Sequence, residues 1–238
     1  RLSCIIQKQN ISMPPEKLTT FKAILWDMDG TLINSEPLWV EAEQELMATF
    51  NTSWDETDQI ACLGGPMPRV AAYMADKTNQ QETEDYFATN LVARMEIKLA
   101  AGVAYTDGAK ALFDGCFAAN IPMALVTASS RSLVNAAITS IGFARFATTI
   151  SCDDVSESKP SPEGYCKAAE FLGVDIRECL ILEDSYVGVT AAIASGAAVI
   201  GISHLGELPN SPRLQVLPSL RDINLEKLQD IYGRLVFV

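Results

Sequence analysis

From about Asp107 onward, apolar runs of strand length alternate with helical segments across short connections, and this rhythm narrows the fold more than any other feature. Residues 107–120, DGAKALFDGCFAAN, predict an Ala-rich helix, and Pro122 opens the strand MALVTAS at 123–129. A second helix is expected from Ser130 to Ile141, stopping at Gly142, and ATTISCDD (147–154) reads as a further strand. Ser161 to Leu172 predict a helix with Ser161 as N-cap and Pro162 at the first helical position. The strand CLILEDS (179–185), the helix VGVTAAIASG (187–196) and the strand AVIGIS (198–203) complete the series. Alternation at this spacing predicts an α/β fold, a parallel sheet with helices on both faces.

The segment between Ser35 and Ala100 breaks the rhythm. It holds no convincing strand and reads as several helices, with Leu38, Ala42 and Leu46, then Val70 and Met74, then Leu91, Met95 and Leu99 recurring at helical spacing. LGGPMP (63–68) interrupts it as a turn, and its glycines lack the strand-to-helix context of a phosphate cradle. The expected organisation is therefore an N-terminal tail at 1–20, an α/β core from 21–35 and 101–238, and a helical insertion at 36–100. An insertion directly behind the first strand would sit above the strand tips and could cover a site there.

That first strand ends in the sequence ILWDMDGT (24–31). Phe21 to Trp26 have the bulky apolar character of a buried strand, and Gly30 ends any regular extension beyond them. Asp27 and Asp29 thus fall just past a carboxyl strand end, where open α/β sheets place ligands. Strand residues i and i+2 point the same way, so the two carboxylates are expected to face one site. Such a pair calls for a cation, a proton or an electrophile between its members.

Composition excludes several partners. A net charge of −12 argues against nucleic acid and against anionic membranes, both of which are held by basic surfaces. No apolar stretch approaches the roughly 20 residues that span a bilayer, and the first residues show neither an apolar core nor a cleavage site of a signal peptide. The six cysteines, Cys4, Cys62, Cys116, Cys152, Cys166 and Cys179, form no CxxC pair and read as reduced thiols of a cytoplasmic protein. His204 is the lone histidine and is expected to be a loop residue, which leaves catalysis to carboxylates, hydroxyls and lysine.

Four positions recur at the expected strand ends or in the loops beside them: Asp27 with Asp29, Thr127 with the following Ala128 and Ser129, Lys159 before Pro160, and Glu183 with Asp184. Each alone has an ordinary structural explanation, a turn, a β-branched strand residue, a solvated charge or a helix cap. Together they meet the demands of phosphoryl transfer. Asp27 is placed as a nucleophile. Asp27 and Asp184, with Glu183 as a further ligand, supply the hard oxygens that suit Mg²⁺. Lys159 would neutralise phosphoryl charge, and the Thr127 hydroxyl with the Ala128 N–H would hold an equatorial oxygen. Asp29 remains to protonate the leaving oxygen and then to activate water.

In DMDGT (27–31), VTAS (126–129), SKPSPE (158–163) and LEDS (182–185) the chain resembles the haloacid dehalogenase superfamily of phosphatases, motif by motif and in order. The resemblance implies a Rossmann-like core, the same roles for these residues, the backbone carbonyl of Asp29 as an additional magnesium ligand, and substrate contacts from Thr31 and Ser129. The insertion resembles the small helical cap of the branch containing β-phosphoglucomutase and sugar-phosphate phosphatases, which implies a cap that opens and closes. Two departures stand out. Asn34 replaces an aspartate common in relatives, and Leu63 and Met67 stand where mutase-like members carry basic residues. Arg69 and Arg131 remain as anion contacts. The expectation is a monomeric Mg²⁺-dependent phosphatase of a small phosphorylated metabolite, a sugar phosphate among the candidates, with a phosphomutase, a catalytically idle binding protein, and a dehalogenase or a phosphonatase with Lys77 or Lys98 for Schiff-base work as alternatives.

Overall fold

The computed structural model describes residues 20–63, 66–203 and 206–236. His204, Gly64, Gly65, Cys4 and the expected tail to residue 19 lie outside the described residues. Six parallel strands form one sheet: β1 (Ala23–Trp26), β2 (Met123–Val126), β3 (Thr148–Ile150), β4 (Cys179–Glu183), β5 (Ala198–Ile202) and β6 (Leu214–Leu217). Their order is β3-β2-β1-β4-β5-β6. β1, β2, β4 and β5 are buried along their whole length, as their uninterrupted apolar sequences require of strands covered on both faces. The order reverses at β1, so the crevice beside β1 and β4 is the topological switch point where such sheets bind ligands.

Nine α-helices accompany the described strands: α1 (Glu36–Ala48), α2 (Glu56–Cys62), α3 (Met67–Lys77), α4 (Glu84–Ala101), α5 (Ala109–Ala118), α6 (Arg131–Ile141), α7 (Glu163–Leu172), α8 (Tyr186–Ser195) and α9 (Leu225–Leu235). α7 and α8 cover one face through Tyr165, Ala168, Val189 and Ala192. The opposite face packs α5, α6 and α9 in an apolar cluster that runs on without a break into the insertion. At its centre Trp26 of β1 meets Phe113 of α5 edge-on, with ring centroids 5.6 Å apart.

The insertion consists of α1 to α4, with no strand among its described residues. Its expected apolar stripes are buried at Ala42, Leu46, Val70, Met74, Leu91, Met95 and Leu99, and α4 packs against α6 of the core. Three local expectations need correction. α7 begins at Glu163 with Pro162 at the N-cap, and Ser161 instead accepts a hydrogen bond from the Glu163 N–H at 3.3 Å. Met67 and Pro68 belong to α3 rather than to a turn. β6 and α9 add to the expected elements: Leu214–Leu217 is a half-exposed edge strand with weak patterning, and Leu225–Leu235 is a helix that buries Leu228, Ile231, Tyr232 and Leu235.

Candidate active site

The carboxyl ends of β1 and β4 lie side by side, and the backbone N–H of Asp27 donates to the Leu182 carbonyl at 3.0 Å. This ladder bond sets Asp27 beside Glu183 and Asp184. Beyond it the chain turns sharply, with the Leu32 and Ile33 N–H groups both donating to the Met28 carbonyl at 3.0 Å. Gly30 makes the turn at φ +82°, and a Cβ there would stand 2.2 Å from Asp184 Oδ2. Only glycine supplies both the left-handed backbone and the space.

One carboxylate oxygen from each of Asp27, Glu183 and Asp184 lies within 4.8 Å of the others, and all three residues are buried. Lys159, preceding Pro160 through a cis peptide, reaches into the cluster. Its ammonium donates to Asp27 Oδ1 at 2.6 Å, Glu183 Oε1 at 2.7 Å and the Val126 carbonyl at 2.9 Å. Burial pushes the Asp27 carboxyl well above the ordinary range; repulsion from Glu183 and Asp184 adds to this, and Lys159 opposes it. Burial works against the Lys159 charge, yet Asp27 and Glu183 overcome it and hold its pKa well above the usual lysine value.

Three carboxylates against one ammonium leave an excess of negative charge in a buried space, where unpaired charge is costly. Converging hard oxygens with that excess fit a divalent cation such as Mg²⁺, which takes few carboxylates and keeps water and substrate oxygens. Asp27 and Asp184 are the residues best placed to hold one. Glu183 is otherwise occupied. Its Oε1 accepts from Lys159 and from the Tyr165 hydroxyl at 3.0 Å, and its Oε2 from the Asp184 N–H at 2.9 Å, the Ser185 N–H at 3.1 Å and the Ser185 hydroxyl at 3.2 Å. Ser185 also caps α8, accepting from the Gly188 N–H at 3.0 Å.

Asp29 faces a different set of partners from Asp27. Its Oδ1 accepts from Ser35 at 2.7 Å, and its Oδ2 from Ser129 at 2.7 Å and Thr127 at 3.4 Å. The two aspartates leave the strand before the loop, because β1 ends at Trp26 and strand alternation no longer governs their direction. Thr127 in turn accepts from the Ser129 N–H at 3.0 Å, which folds the VTAS segment back over the aspartate loop. Ala128 is exposed beside it.

The remaining expected residues are more distributed. Thr31 is fully buried and donates to Asp184 Oδ1 at 3.1 Å, so its hydroxyl orients a carboxylate of the cluster. The Arg131 guanidinium donates to the Thr149 hydroxyl at 2.6 Å and the Thr149 carbonyl at 2.8 Å, and it pairs with Asp154. Arg69 is exposed at the start of α3, donating to the Leu63 carbonyl at 3.3 Å. Lys77 pairs with Asp58, and Lys98 with Glu41 at 3.1 Å and Glu45 at 2.7 Å. Hydrogen bonding to Asp58 and to Glu45, respectively, raises the pKa of each lysine.

Two contacts have no signal in the sequence. Ser35, at the N-cap of α1, ties the insertion to Asp29. Tyr165, in the first turns of α7, lies beneath the Lys159–Glu183 pair. Glu36 also feels the site: burial pushes its carboxyl up, and Asp29 and Asp184 add to the rise. Among the described residues no helix is long and apolar enough to cross a membrane, and the five described cysteines are unpaired.

A doubly wound parallel sheet with a lysine and three carboxylates gathered at its switch point defines an α/β protein with a candidate site at its strand ends. The model of the haloacid dehalogenase-like hydrolases matches residues 24–202, and the chain belongs to that family. It is 28% identical to a bifunctional riboflavin kinase/FMN phosphatase of Arabidopsis thaliana over 86% of this chain, spanning 55% of that protein's length. It is 27% identical to hexitol phosphatase A of Escherichia coli, covering 87% of this chain and 94% of the relative. Among solved structures, CbbY from Rhodobacter sphaeroides in complex with phosphate superposes with a TM-score of 0.70 at 25% identity, covering 86% of this chain and 96% of that one.

Proposed function

We propose that this chain is a Mg²⁺-dependent phosphatase that hydrolyses a small phosphorylated metabolite, foremost a sugar phosphate, through an aspartyl-phosphate on Asp27. The observation that carries the reading is the contact of Lys159 with both Asp27 and Glu183 beside Asp184. An ammonium at 2.6 Å from the attacking carboxylate also stands where the transferring phosphoryl oxygens must come, and offsets their charge. Kinship with the hydrolase family makes the chain a phosphoric monoester hydrolase, and relatives named as sugar-phosphate phosphatases support the substrate class.

Asp27 attacks phosphorus and forms the new O–P bond as the bond to the leaving oxygen breaks. Asp29, oriented by Ser35 and Ser129, gives that oxygen a proton and later takes one from the water that hydrolyses the acyl phosphate. Thr127, Ala128 and Ser129 line the side from which an equatorial oxygen would be held, and Thr31 keeps Asp184 in place. Held by Asp27, Asp184 and the Asp29 carbonyl, Mg²⁺ would supply the charge that lets a carboxylate approach a phosphate dianion. The insertion acts as a cap over the strand tips, with Arg69 and Arg131 as outer anion contacts. The unpaired thiols suit a reducing compartment such as the cytoplasm.

The test is phosphate release from a panel of hexose, pentose and polyol phosphates with and without Mg²⁺. Asp27→Asn is expected to lower kcat by at least about 10³-fold, the scale of losing a nucleophile. Unchanged release in that variant would refute the assignment. Interconversion of sugar-phosphate isomers without release would replace the phosphatase with a mutase.

A further inference from the structure

Tyr165 is fully buried and belongs to none of the four motif positions. A residue that only filled the core beneath α7 would need a ring and no hydroxyl. Burying a hydroxyl costs free energy unless a partner receives it. Here the partner is functional: Tyr165 donates to Glu183 Oε1 at 3.0 Å, the same oxygen that accepts from Lys159 at 2.7 Å. The ring also lies under the ammonium, with Lys159 Nζ 5.0 Å from its centroid, within the range of a cation–π contact.

All three N–H donors of Lys159 are committed, to Asp27, Glu183 and the Val126 carbonyl. The place of the ammonium is therefore set by three acceptors, one backbone carbonyl and two carboxylates, and of the two carboxylates Glu183 is the one that Tyr165 also holds. Its Oε2 is fixed by the start of α8, and its Oε1 by Tyr165. Resting on the phosphatase assignment, we propose that Tyr165 is a positioning residue for the reaction. It holds Glu183 and the Lys159 ammonium so that the positive charge stands against Asp27 where the phosphoryl group transfers.

Tyr165→Phe keeps the ring and removes the hydroxyl, whereas Tyr165→Leu removes both. With p-nitrophenyl phosphate and Mg²⁺, Tyr165→Phe is expected to lower kcat by about 3- to 10-fold, the scale of one ordinary net hydrogen bond, with KM little changed. Inhibition by vanadate, which mimics the transferring phosphoryl group, weakens by the same factor, while Tm moves by less than about 3 °C. Tyr165→Leu loses more in kcat and in Tm. Independently of turnover, protein carrying ¹⁵N-lysine shows one exchange-protected ammonium signal that Lys159→Met removes and Tyr165→Phe shifts or broadens. Unchanged kcat, vanadate inhibition and ammonium signal in Tyr165→Phe overturn the proposal, as does a wild-type chain without that signal. If phosphate release is absent or survives Asp27→Asn, the phosphatase reading falls, and the ammonium signal alone then decides whether Tyr165 places Lys159.

Discussion

Ser35 donates its hydroxyl to Asp29 Oδ1 at 2.7 Å, binding the residue that opens the helical insertion to the candidate acid–base carboxylate. Ser129, in the loop that follows β2, holds the other oxygen at the same distance. One carboxylate thus joins the insertion to the sheet, and its orientation depends on both. Asp29→Asn is expected to lower kcat by about 10²- to 10⁴-fold, the range of a lost general acid–base. Ser35→Ala and Ser129→Ala retain the carboxyl but loosen it, so each should lose several-fold in steady-state assays. Equal activity of Asp29→Asn and wild type would remove Asp29 from the mechanism.

Gly30→Ala sets a methyl group against Asp184 Oδ2, at a backbone φ of +82°. Strain of about 1–3 kcal/mol is expected, together with displacement of a carboxylate from the cluster. Thermal melts should show a lower Tm, and activity should fall further than the loss of folded protein explains. A variant with wild-type Tm and turnover would show that the aspartate loop does not lie against β4.

Removing one negative charge from the cluster has opposite effects with and without metal. Asp184→Asn reduces the repulsion that raises Asp27, so without divalent ions its Tm should equal or exceed that of wild type. Wild type should gain about 1–3 kcal/mol of stability from Mg²⁺ at 10–100 times its dissociation constant. The variant should gain little. Scanning calorimetry with EDTA and with Mg²⁺ separates these cases, and an undiminished gain in the variant would contradict the metal assignment.

Glu43 lies buried in the insertion with the Trp54 indole N–H 2.9 Å from its Oε2. Burial raises its carboxyl from the ordinary 4.5 to about 7, against the stabilising bond from Trp54. The folded state therefore keeps a proton that the unfolded chain loses, and native stability falls as pH rises from about 4.5 to about 7. Glu43→Gln abolishes this loss. Its Tm should exceed that of wild type by about 2–4 °C at pH 8, as ~1 kcal/mol implies for a chain of this size, and by less at pH 5. A pH-independent difference would place the charge elsewhere.

Much of the site is readable in one dimension because its residues end strands. An apolar run stopping at Asp27, another at Thr127 and a third at Glu183–Asp184 are visible without coordinates, since burial on both faces keeps these strands apolar up to their ends, and in β4 the last strand residue is Glu183 itself. Lys159 is marked by its company in SKPSPE. Tyr165 is not, because it stands six positions beyond Lys159 and only the start of α7 turns it beneath Glu183. Ser35 looks like an ordinary helix cap for the same reason. The division of the two aspartates also escapes a linear reading, since period-two alternation applies inside β1 and both residues lie beyond it.

The alternating elements, the helical segment behind β1 and the residue types gathered at the strand ends are all written along the chain, because periodicity and apolar runs are local properties. Tertiary structure alone decided which of those residues share a bond. Lys159 meets Asp27 across 132 positions and Glu183 across 24, and Asp29 meets Ser129 across 100. Such contacts depend on strand order and helix entry angle, which place β1 between β2 and β4. They turn four separate motifs into one charged cluster, and no spacing in the sequence records that.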